Sequence, residues 1–197
     1  MGTVTCDLAV TLDGLSATAD QSLERPFGAL DAETLHGWHL EHAAEHRAET
    51  DAITAAGAYV MGRNMFDPGR GPFDLSWKGW WGPEPPYRAP VFVLTHHERE
   101  PLEMAGGTTF HFVTDGPEAA LARAREAAGE RDVAVAGGAT TVNEYLAAGQ
   151  IDELRLHVVP HVAGVPGVRL FDGVGPVGWT AVSGRWTPEV THLVYRR

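Results

Sequence analysis

The sequence predicts an α/β protein: a mixed, mostly parallel central sheet flanked by helices, with an antiparallel hairpin at its C-terminal end. Three observations carry this. Short apolar runs alternate with helical stretches along most of the chain, the pattern of parallel crossovers. Two of those runs stop at glycine corners, Gly62-Arg63-Asn64 and Gly137-Gly138, where a strand hands over to a helix. The last two runs are separated by little more than Thr187-Pro188-Glu189, which suits a hairpin.

Taken in order, "VTCDLAV" (4–10) reads as a first strand stopped by Asp13-Gly14. Residues 31–53 read as helix, with Asp31 as N-cap and Gly37 dividing it into two pieces. "GAYVMG" (57–62) is a strand. Residues 67–90 are rich in proline and glycine and contain Trp77, Trp80 and Trp81. Tryptophans bury area, so this is a structured insertion rather than a linker, covering either a ligand pocket or a dimer face. "APVFVLT" (89–95) and "TTFHFVT" (108–114) are strands. "GPEAALARAREAAG" (116–129) is a helix opened by Pro117 and closed by Gly129. A strand follows over 133–136, then the two glycines, a small-residue helix and a strand from Leu154. Closing strands fall near 180–186 and 190–195. The whole reads as a single domain over 1–197.

The chain of 197 residues is 44% apolar and 21% charged, ordinary for a globular protein. A formal charge of −11 argues against nucleic-acid or anionic-membrane partners. Cys6 is the one cysteine, so an internal disulfide and a multi-cysteine metal site are excluded. No secretory leader or bilayer-length apolar run is visible, and the expected location is the cytoplasm.

Paired glycines at a strand–helix junction let backbone N–H groups approach a ligand, and the helix end behind them is electropositive. Gly137, Gly138, Ala139, Thr140 and Thr141 therefore read either as a phosphate cradle or as a tight packing turn. The corner at Gly62, Arg63 and Asn64 could hold a second phosphate, or Arg63 could be a surface residue at a turn. No G-x-G-x-x-G stands between a strand and a helix, and no G-x-x-x-x-G-K-[ST] occurs, which argues against an ordinary Rossmann domain and a P-loop enzyme. His39, His42 and His46 fall on one side of a helical wheel. An exposed or site-lining histidine face is the preferred account, and no metal ligand set is assigned.

The run "AVTLDG", "YVMGRNMF", "PVFVLTHH", "FHFVTDGPEAALARARE", "VAVAGGATTVNEYLAAGQIDELRLHVVP" and "RLFDG" covers most of the chain. In that order these segments resemble the dihydrofolate reductase fold. They resemble more closely the reductase domain at the C-terminus of bacterial riboflavin-biosynthesis deaminase–reductases (the RibD type). The resemblance implies an NADPH-dependent reductase acting on a small heterocyclic or carbonyl substrate, and a homodimer. It implies that Gly62, Arg63 and Asn64 lie by the adenosine-side phosphates, with Thr95 and His96 near the 2′-phosphate. It places Gly137, Gly138, Ala139 and Thr140 at the pyrophosphate, and Ala9, Val10 and Asp13 beside nicotinamide and substrate. The acidic residue assisting proton transfer is sought on the first helix, where Glu41, Glu45 and Glu49 stand; Glu45 and Asp13 are taken as the catalytic candidates. The segment "PHVAGVPGVRLF" departs from the family's pattern by one extra residue and by His161. That departure keeps two alternatives in view: a non-redox reaction in the same pocket, or a non-catalytic ligand-binding homodimer.

Overall fold

The computed structural model describes residues 2–197. Nine strands form one sheet: β1 (Val4–Val10), β2 (Ala58–Gly62), β3 (Pro90–Leu94), β4 (Leu102–Glu103), β5 (Thr109–Val113), β6 (Val133–Gly137), β7 (Glu153–Val158), β8 (Thr180–Trp186) and β9 (Thr191–Arg196). Their spatial order is β4-β5-β3-β2-β6-β1-β7-β9-β8. The six strands from β5 to β7 in that order pair in parallel, while β4, β9 and β8 pair antiparallel. The fold expected from the sequence is thus the one observed, including the C-terminal hairpin. The two-residue edge strand β4 was not expected; only a long-range partner, β5, makes it a strand.

Helices α1 (Ala32–Leu40), α2 (Arg47–Ile53), α3 (Arg63–Phe66), α4 (Pro117–Ala128) and α5 (Ala139–Ala147) complete the chain. Side chains alternate across a strand, so each strand serves two layers. From β1, Cys6, Leu8 and Val10 join the core under α4 and α5. Asp7 points the other way, toward Arg155 of β7. On that second face α1 contributes Leu35 and Trp38 to a smaller core with Leu15, Val159 and Val190.

The break in the first helical stretch lies at residues 41–46, not at Gly37. Asp31 does cap α1, accepting the Thr34 N–H at 2.8 Å. A helical glycine costs roughly 1 kcal/mol. Leu35 and Trp38, on either side of Gly37, are 0% and 2% exposed, and their burial holds that turn helical. Glu41 to Glu45 are all exposed, so nothing holds the next turn.

The 67–90 insertion covers the second face of β2, β3 and β5. Phe73, Tyr87, Trp77 and Trp81 pack there with Tyr59, Met61, Phe66 and Phe110. The Trp77 indole N–H donates to the Phe66 carbonyl at 2.7 Å. Its aromatic residues therefore build an internal layer. Among the described residues no helix is long and apolar enough to cross a membrane.

Candidate functional site

In the sheet order the chain runs outward from β1 through β2, β3 and β5, then returns to place β6 between β2 and β1. A crevice at the C-terminal ends of parallel strands, where the strand order reverses, is where open α/β sheets bind ligands. Both glycine corners lie on this edge. A Cβ at Gly62 would collide with the Thr141 hydroxyl, so the first turn of α5 rests directly on the end of β2. Gly137 has φ +129°, which favours glycine, and the Gly137–Gly138 peptide is cis. A Cβ at Gly138 would meet no atom within 4 Å. No side chain caps α5, so its first-turn N–H groups are left without a side-chain acceptor.

Beside this corner the turn after β1 is held from three directions. The Asp13 carboxylate accepts the Thr11 hydroxyl at 2.7 Å and the Ala163 and Gly164 N–H groups at 3.0 and 3.1 Å. Arg169 lies 3.7 Å away. The Thr11 hydroxyl bond, then the Ala163 amide, hold the Asp13 pKa down at about 2. Asp13 is therefore an anchor and an acceptor at neutral pH, not a proton donor. The 161–168 segment is largely exposed but tied down at points: the Leu12 N–H donates to the His161 carbonyl at 2.7 Å, and Gly167 sits against Leu15.

The loop 169–173 closes the site. Buried Asn143 of α5 donates to the Arg169 carbonyl and accepts the Phe171 N–H, both at 2.8 Å. Phe171 has φ +77°, unusual for a bulky residue, within this clamp. Val10, Asp13, Leu156, Val158, Arg169 and Leu170 are among the residues lining an open groove of about 480 Å³. The RLFDG motif is visible in the sequence. Its clamp, Asn143, carries no local signal, because its partners are 26 and 28 residues away.

The family model of the RibD C-terminal domain matches residues 2–193. The chain belongs to the RibD C-terminal domain family. Among solved structures, a Shewanella sp. PV-4 protein described as one of riboflavin biosynthesis superposes with TM-score 0.65 at 21% identity, over 99% of this chain and 98% of that one. The Acinetobacter baumannii RibD gives TM-score 0.63 at 18% identity; all of this chain corresponds to only 58% of that protein. Dihydrofolate reductase from Enterococcus faecalis, complexed with NADP(H) and RAB-propyl, gives 0.55 at 17% identity over 100% and 96% of the two chains. These likenesses show the dihydrofolate reductase-like fold. No curated protein matches the chain.

Within this RibD C-terminal domain the remaining candidate residues divide. Ala9 and Val10 end β1, buried. Thr95 is buried beyond the end of β3 and its hydroxyl accepts the His97 N–H, while His96 is exposed. Thr140 is exposed on the first turn of α5, and Ala139 is buried beneath it. Asn64 approaches Gln21, 3.4 Å away. The Arg63 guanidinium turns into the insertion: it bonds to the Gly71 carbonyl, pairs with Asp67 at 3.5 Å and lies 4.2 Å over the Phe73 ring. Glu41 and Glu45 are exposed around the 41–46 turn, and Glu49 pairs with Arg185. The three-histidine helical face does not form. His42 is exposed and His46 is fully buried, because the helix breaks between them.

Proposed function

We propose that this chain is an NADPH-dependent reductase that transfers hydride to a C=N or C=O bond of a small heterocyclic or carbonyl substrate. The observation that carries the reading is the open space over Gly138 at the uncapped N-terminus of α5, next to the end of β1. A side chain at Gly138 would narrow that space. The amides of Ala139 and Thr140, with the Thr140 hydroxyl, suit a pyrophosphate. At the second corner Arg63 is engaged by Asp67, so Gly62 and Asn64 offer backbone and amide donors, with Thr95 and His96 beside them. Ala9 and Val10 would border the nicotinamide, which supplies the hydride when bound. Support also comes from the NADP(H) held by a dihydrofolate reductase of similar fold.

The chain's own residues position the substrate. Asp13 fixes the turn above β1, and Arg169 presents a cation to the groove wall. Glu45, the proton donor expected from the sequence, lies in the exposed turn, and Asp13 holds no proton at neutral pH. The proton that accompanies hydride therefore enters from bulk solvent in this reading. We also propose that the chain pairs with a second copy of itself.

The test is a titration of NADPH and NADH followed by tryptophan fluorescence. Saturable quenching with NADPH, weakened by Gly138→Val, supports the reading. No binding at millimolar NADPH would sink it and favour a non-redox use of the groove.

A further inference from the structure

On the α1 side of the sheet, α2, β7 and β9 bring three buried histidines into one chain of contacts. His46 Nδ1 lies 2.9 Å from His192 Nε2, and His192 Nδ1 lies 2.8 Å from His157 Nδ1. His157 Nε2 lies 3.7 Å from Asp7 Oδ1. At the other end Arg185 of β8 reaches in. Its guanidinium is 3.0 Å from His46 Nδ1 and grips both Glu49 oxygens at 2.9 and 3.0 Å.

A guanidinium only donates, so this arrangement fixes every ring. His46 Nδ1 must accept from Arg185. His192 Nε2 must then donate to the same lone pair, which two donors share. His192 Nδ1 accepts, and His157 Nδ1 donates to it. His157 Nε2 is left bare against a carboxylate oxygen. His157 Nε2 and Asp7 Oδ1 are buried without hydrogen-bond partners, as is His46 Nε2, which carries that ring's proton.

We propose that His46, Glu49 and His192 form a binding site for a zinc-class divalent cation, with Arg185 as its displaceable occupant. A metal ion there reverses the chain. His46 Nδ1 and His192 Nε2 offer lone pairs to the metal. His192 Nδ1–H donates to His157 Nδ1, and His157 Nε2–H donates to Asp7 Oδ1 once the 3.7 Å gap closes. One proton moves on each of two rings, none is lost, and two of the three orphaned atoms gain a partner, His46 Nε2–H staying as it is. The outcome is a carboxylate–histidine support behind a ligating histidine, the usual way such a ligand is oriented.

The geometry agrees. The candidate ligand atoms of His46, Glu49 and His192 lie within 4.8 Å of one another. Zinc ligands at about 2.0–2.2 Å stand roughly 3.3 Å apart in a tetrahedron. The 2.9 Å His46–His192 and 4.0 Å His192–Glu49 separations bracket that spacing. Burial disfavours the charged form of both His46 and His192. Glu45 and Glu189 add negative field at His46. Arg185 is 40% exposed on the outer strand, so its side chain can turn into water, giving up its bonds to Glu49 and His46 as the ion enters. The site shares no residue with the groove, and its fate is independent of the reductase reading.

The test uses the untagged 197-residue chain after treatment with a chelator. Zn²⁺ is titrated by calorimetry and Co²⁺ by visible absorption. The expected result is one equivalent bound, with the intense cobalt absorption of a four-coordinate site. Arg185→Gln should bind at least about tenfold tighter and His192→Ala about a hundredfold weaker or worse. Should His192→Ala fail to fold, Glu49→Gln, at the rim of the cluster, should weaken binding about tenfold. The proposal is overturned if neither wild type nor Arg185→Gln takes up an equivalent of either metal. It is equally overturned if Arg185→Gln binds no tighter than wild type, or if removing His192 or the Glu49 charge changes nothing.

Discussion

Adding a methyl group at Gly62 drives it into the Thr141 hydroxyl, where the end of β2 meets the first turn of α5. Both elements are fixed by the sheet, so the crowding must be absorbed as strain. Gly62→Ala is expected to cost about 1–3 kcal/mol in urea unfolding. Thr141→Ala in the same chain removes the obstructing oxygen and should restore most of that loss, a coupling that a double-mutant cycle measures. Asp13 makes a pH prediction at the same scale. Its pKa is held down at about 2, chiefly by the Thr11 hydroxyl, against 3.8 when free. A depressed carboxylate contributes stability that is complete above the free value and lost as pH falls toward the folded one. Wild type should therefore lose stability between about pH 4 and 2 more steeply than Asp13→Asn. At neutral pH, Asp13→Asn should lower turnover without shifting the pH profile, since the group it removes does not titrate there. Identical acid-unfolding slopes for the two proteins would refute the assignment.

Helix α5 does more than follow the glycine corner. Through Asn143 it holds the 169–171 loop in place, and that loop forms one wall of the groove. Asn143→Ala leaves one carbonyl and one N–H without their partner. It should destabilise the fold by about 1–3 kcal/mol. It should also raise the substrate KM more than it changes NADPH affinity, because the loop borders the groove and not the α5 amides. Equal effects on both ligands would contradict that division. Legibility in the sequence also sorts at this scale. Strands β1, β2, β3 and β5, the helix α4 and the β6–α5–β7 unit were readable, because period, glycine and proline all agree locally. The 31–53 stretch was misread because burial of Leu35 and Trp38 overrides a single glycine, and burial is a tertiary fact. The histidines were misgrouped for the same reason. A helical wheel joins His46 to His39 and His42, whereas its contact is His192, 146 residues later. The glycine corners and the RLFDG segment were legible; the bonds made by Asn143, Ala163 and Arg169 were not, since each acts through a partner far along the chain.

For the molecule as a whole, the sheet ends differ. At one end β4 is only two residues long, a blunted edge. At the other, β8 is seven residues long and exposed throughout, with Trp186 76% and Val182 46% exposed. A long edge strand with exposed apolar side chains invites pairing unless something covers it. A second copy of the chain is the occupant proposed here. The charge of −11 sets a condition: two such copies repel, so the contact must gain from apolar burial, and association should strengthen as salt screens the charges. Sedimentation should show a dimer at micromolar concentration that tightens between low and moderate salt. Trp186→Lys places a cation where apolar area is needed and should yield a folded monomer with unchanged circular dichroism. The same variant keeps Arg185, so its affinity for Zn²⁺ should change little, and this separates loss of pairing from loss of the β8–α2 contact. A wild-type monomer at every salt concentration, or a Trp186→Lys dimer as tight as wild type, would place the subunit contact elsewhere or nowhere.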